Sequence, residues 1–153
     1  MQVVADTHVH LYPCYRLDAA LRALAMRLDG YGADVRLACL AERSDCTAFA
    51  QLEGGGQAPG EGIRVVPVDD VTLRVAVAGQ PPFFLVAGRQ IVTRERLEVL
   101  GLACTDRFDD GLTAAEAVEA VLRSGGVPVL PWSPGKWLFA RARVVGALLA
   151  RFG

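Results

Sequence analysis

The chain contains two histidines, and they stand two residues apart beside a carboxylate, in Asp6-Thr7-His8-Val9-His10. In an extended segment, side chains at i and i+2 point the same way. The spacing therefore predicts two imidazoles on one side, suited to chelating one metal ion. Asp6 is expected on that side too, either as a ligand or as the group that fixes a histidine tautomer. A divalent ion held this way, with open coordination positions, ionises water or polarises a phosphoryl oxygen. Cys14 lies four residues past His10 and reads either as a further soft ligand or as a buried, inert thiol.

Those residues need strand ends to hold them. Val3-Val4-Ala5 reads as a short buried strand that ends at Asp6. Leu17, Leu21, Leu24, Ala25 and Leu28 mark one face of a helix that Gly30 and Gly32 end. Val35 to Leu40 is the next strand, and a short helix follows from Cys46 to Leu52. Strands are expected at Ile63–Val66, Val71–Val77, Phe83–Val86, Gln90–Val92 and Leu97–Leu102. Thr113 and Glu116 form a capping box for a helix that Gly125-Gly126 closes. Val127 to Leu130 is a last strand, and Trp137 to Arg151 a last helix.

Strands and helices alternate at both ends of the chain, which predicts an α/β domain with a mostly parallel sheet. Right-handed crossovers would then gather the strand C-termini on one edge, with Asp6, His8, His10, Glu42 and Trp132 at or just past them. The segment 53–62 holds five glycines and a proline in ten residues. It precedes strands and not a helix, so it reads as a connector and not as a phosphate loop.

Composition limits the class. At 153 residues, 52% hydrophobic and 22% charged, the chain can bury a core and is not of the disordered type. A net charge of −1 gives no electrostatic reason to expect nucleic acid or an anionic membrane as partner. Four cysteines without CxxC spacing, and no export signal, fit reduced thiols in the cytoplasm. No apolar run reaches the ~18 residues of a membrane span. No Gly-x-Ser-x-Gly, Walker or Rossmann motif is present, against serine hydrolase, NTPase and dinucleotide chemistry.

Asp6 to His10, with Leu11-Tyr12, resembles the first motif of the PHP (polymerase and histidinol phosphatase) family of amidohydrolase-like enzymes. Gly88 to Thr93 is similar to its Gly-x-Glu segment, and Gly125 to Gly135 to its Gly-Gly, strand, Ala-His-Pro segment. The resemblance implies a partial or distorted (β/α) barrel, Zn, Mn or Fe as cofactor, and hydrolysis of small phosphate esters by activated water. It covers nearly the whole of 1–153, as one domain or as the N-terminal part of a longer barrel. An open sheet edge would then be covered by a C-terminal half or by a homo-oligomer partner.

The departures from the pattern are specific. Glu42-Arg43 stands where the family has an Asp-His pair, Gln90 replaces the bridging Glu, and Trp132 replaces a His. The closing Asp-x-His is missing. One ion is therefore expected in place of two or three, on Asp6, His8, His10 and Glu42. Asp6 also keeps an orienting role, and Arg43 or Lys136 would neutralise a substrate phosphate. Glu98 is the best replacement carboxylate if the register differs. Trp132 and Trp137 would form a rim over the site or pack the last helix. Two functions stay open: a reduced PHP-type hydrolase, or a catalytically silent PHP-like domain that binds or assembles.

Overall fold

A computed structural model describes residues 1–54 and 59–153. In chain order the elements are β1 (Val3–Val9), α1 (Leu17–Asp29), β2 (Val35–Leu40), α2 (Ala48–Glu53), β3 (Ile63–Asp69) and β4 (Thr72–Val77). There follow β5 (Phe83–Val86), β6 (Gly88–Val92), β7 (Glu98–Leu102), α3 (Ala114–Arg123), β8 (Val127–Val129) and α4 (Ala140–Phe152). The glycine-rich connector lies in part, at 55–58, outside the described residues. Among the described residues no helix is long and apolar enough to cross a membrane.

The strands form a five-stranded sheet in the order β1-β2-β5-β4-β3 and a three-stranded sheet in the order β6-β7-β8. β1, β2 and β5 run parallel, whereas β4 runs antiparallel to both its neighbours, β5 and β3. The second sheet is antiparallel throughout. The expectation of a mostly parallel sheet, as part of a PHP-type barrel, is therefore corrected: the larger sheet is mixed, the smaller is antiparallel, and among the described residues no barrel closes.

The cause lies in the connections. Parallel neighbours need a long crossover, which α1 supplies between β1 and β2. β3–β4 and β6–β7 are joined by short turns that permit only antiparallel pairing. Between β7 and α3 the chain first runs back along the sheet. Ala103 N–H donates to Ala87 O at 2.8 Å, and Gly111 N–H to Val92 O at 2.8 Å. α3 then returns, so β8 enters antiparallel to β7 despite the helix between them.

Two apolar clusters hold the layers. α1 and α2 bury Leu21, Leu24, Leu28, Phe49 and Leu52 against Leu40, Leu73, Val75, Phe83 and Leu85 of the larger sheet. The helical spacing in α1 points these leucines inward, and each fully buried one contributes roughly 2 kcal/mol. α3 and α4 bury Ala117, Val118, Val121, Val145 and Leu148 against Ile91, Leu97 and Val99 of the smaller sheet. The capping box forms at α3 as expected: Thr113 Oγ1 accepts from Glu116 N, and Glu116 Oε2 accepts from Thr113 N at 2.7 Å.

The sheets meet at a seam between the chain just past β2 and the start of β6. Glu42 N–H donates to Gly88 O at 3.0 Å, and Gln90 N–H donates to Glu42 O at 2.9 Å. The approach is so close that a Cβ on Gly88 would stand 2.2 Å from Leu40 O. Only glycine fits there.

Candidate metal site

His8 and His10 open into one cavity of about 300 Å³, lined also by Tyr12, Arg43, Gln90, Val92, Glu98 and Asp110. Backbone pairing explains the company. Ala41 N–H donates to Val9 O at 2.7 Å, which sets the chain after β2, with Arg43, beside the end of β1. The seam sets Gln90 next to it. Val92 pairs with Glu98 and Gln90 with Leu100. Cross-strand partners share a face, as do residues two apart, so Gln90, Val92 and Glu98 face the cavity together.

The two imidazole centroids are 4.9 Å apart, with the rings tilted by 58°. Tyr12 stacks on His10 at 5.1 Å and 9°, and the Arg43 guanidinium lies 6.0 Å from the Tyr12 ring centroid. Burial, followed by the field of His8, pushes the His10 pKa below its ordinary value; a hydrogen bond with the Ala41 backbone and the charge of Glu98 oppose that shift. Both leading causes favour the neutral ring, the form that ligates a metal.

Asp6 is not with them. β1 carries an irregularity: Asp6 pairs with Ala38 and Val9 with Leu40, three residues on one strand against two on the other. The alternation slips once between Asp6 and the histidines. Asp6 Oδ2 stands 3.5 Å from Arg27 of α1 and lines a separate cavity with Val4, Thr7 and Tyr31. Its other oxygen accepts from His8 N at 3.3 Å, a local turn contact. The expectation that i, i+2 spacing carries Asp6 to the imidazole side is corrected by this bulge.

Glu42 is also engaged elsewhere. It is 3% exposed, with Oε1 accepting from Phe49 N at 2.9 Å and Oε2 from Arg89 Nη1 at 2.7 Å. Arg89 further donates to Cys46 O at 3.2 Å. Glu42 thus ties α2 and β6 to the end of β2 and does not line the histidine cavity.

Lys136 reaches the site only through Glu98, whose Oε1 it pairs with while Gln90 Nε2 stands 3.5 Å from the same oxygen. Arg43 meets Asp45 at 3.4 Å, with both side chains more than half exposed, so its charge stays available. Trp132 is exposed and packs edge-on against Trp137 at 5.0 Å, outside the cavity lining. Cys14 is exposed and outside it as well. Burial raises the Cys39, Cys46 and Cys104 thiol pKa values, which leaves those groups unreactive.

Tyr12 and Asp110, with apolar Val92, are the cavity residues that sequence reasoning missed as site residues. Asp110 accepts from Val92 N at 2.8 Å, a contact made by the returning loop that no periodicity signals. Tyr12, two residues past His10, continues the same i, i+2 series and was legible in principle.

No protein-family model, curated protein or solved structure matches this chain.

Proposed function

We propose that this chain is a PHP-like metal-dependent hydrolase of small phosphate esters with a site for one ion. The observation that carries the reading is that both histidines of the chain share one cavity with a guanidinium. Two tilted imidazoles fit one Zn, Mn or Fe ion. They do not fit a paired or triple centre, because Glu42 is consumed by Arg89, Gln90 is a neutral amide, and Trp132 lies outside. When bound, the ion supplies Lewis acidity toward water and a phosphoryl oxygen.

The chain's own residues supply binding and orientation. Arg43 offers a planar, permanently charged fork to a phosphate. Tyr12 stacks under His10 and limits its rotation. Arg43 lines the cavity and Lys136 does not, so Arg43 is the phosphate-binding residue in this reading. Four free cysteines, three of them buried, support a reducing, cytoplasmic setting.

The engagement of Asp6 with Arg27 and of Glu42 with Arg89 favours a second reading, a catalytically silent PHP-like binding module. Hydrolysis of p-nitrophenyl phosphate separates the two. The hydrolase reading expects slow turnover with added Mn or Zn, abolished by chelator and by His8→Ala. Metal bound without turnover selects the binding module.

A further inference from the structure

Two imidazoles alone make a weak site, and catalytic ions of this kind ordinarily take three protein ligands. Among the described residues, no three His, Cys, Asp or Glu side chains stand together in a group that could hold one ion. Glu98 is the candidate to complete the set. It lines the same cavity as both histidines. Its Oε1 is held by Lys136 and lies near Gln90 Nε2. Among the described residues nothing donates to its Oε2.

Lys136 belongs to the segment between β8 and α4, and that segment carries both tryptophans of the chain, Trp132 and Trp137. The side chain of Lys136 is 40% exposed and that of Glu98 is 21% exposed. A partly exposed ammonium–carboxylate pair holds weakly against water. A divalent ion already fixed by two imidazoles is the stronger competitor for the carboxylate.

We propose that Glu98 is the third ligand of the His8–His10 site and that Lys136 is a latch on it. Without metal, Lys136 holds the carboxylate. Ion binding withdraws Glu98 from Lys136 and shifts the segment 131–139, which Trp137 keeps packed against the second apolar cluster. The inference rests on the metal-binding reading above and adds a ligand and a coupled movement to it. By reciprocity, whatever loosens the latch must tighten metal binding.

The test titrates Zn into the full chain by calorimetry while tryptophan emission is recorded. Zn has no unpaired electrons to quench the indoles directly, and both indoles report on the latch segment. Wild type should bind one ion, with an emission change that saturates at the same point. Glu98→Gln should bind about tenfold more weakly or worse, without the emission change. Lys136→Met should bind more tightly, by up to about fivefold, the limit set by an exposed ion pair. Circular dichroism and melting curves confirm that each variant is folded.

Wild-type affinity in folded Glu98→Gln overturns Glu98 as a ligand and leaves the histidine reading standing. Unchanged or weaker binding in Lys136→Met overturns the latch. Stoichiometric Zn without any emission change overturns the shift of the segment. A folded wild type that binds no Zn overturns the histidine reading, and this inference with it.

Discussion

Glu42 Oε2 and Arg89 Nη1 meet at 2.7 Å across the seam between the two sheets, with the Glu42 side chain 2% and the Arg89 side chain 13% exposed. A carboxylate this deep is tolerable only while it is paired and hydrogen-bonded. Arg89→Met leaves Glu42 without its counter-ion and should cost about 3–5 kcal/mol in denaturant unfolding. The double variant Glu42→Gln/Arg89→Met should recover most of that loss. A loss below about 1 kcal/mol in the single variant would show that the pair is not what joins the sheets.

Gly88 should tolerate no side chain. A Cβ there would meet Leu40 O at 2.2 Å, backbone against backbone, in the seam itself. Gly88→Ala should therefore destabilise by about 3 kcal/mol or more, or yield insoluble protein, whereas Gly135→Ala, with nothing near its Cβ, should not. Equal melting temperatures for the two variants would contradict this packing.

The capping box of α3 has a pH signature. Glu116 has its pKa lowered by hydrogen bonds from the Thr113 backbone and side chain. A depressed carboxylate contributes stability above its ordinary pKa of about 4.3 and loses it as pH falls through the folded value. Thr113→Ala should cost about 1 kcal/mol at neutral pH. The gap between variant and wild type should narrow below pH 4. A gap independent of pH would separate the cap from Glu116 ionisation.

Tyr12 limits rotation of His10 by stacking at 5.1 Å. Tyr12→Leu should weaken Zn binding severalfold with little change in melting temperature, and Tyr12→Phe, which keeps the ring, should restore it. Equal Zn affinity in Tyr12→Leu would show that the stack does not orient the imidazole.

Local signals in the sequence translated well into elements. The leucine spacing of α1, the mostly apolar run of β2 and the Thr113–Glu116 box all depend on contacts within a few residues, and each formed where expected. The arrangement of those elements was less legible. β4 and β5 are neighbours yet antiparallel, and β8 follows a helix yet opposes β7, because loop paths and not residue types decide strand direction. Within the site, the i, i+2 rule brings His8 and His10 to one cavity. It fails at Asp6 because one extra residue in β1 shifts the alternation. The fate of Glu42 was hidden too, since its partner Arg89 lies 47 residues away.

In the proposed function, His8 and His10 hold one divalent ion. The most direct measurement strips the purified chain with chelator, reloads it with Zn or Mn, removes the excess and counts metal per chain by mass spectrometry. Wild type should retain about one ion, and folded His8→Ala or His10→Ala almost none, since few other ligands can compensate. Wild type that retains no metal, or histidine variants that retain as much as wild type, would contradict it.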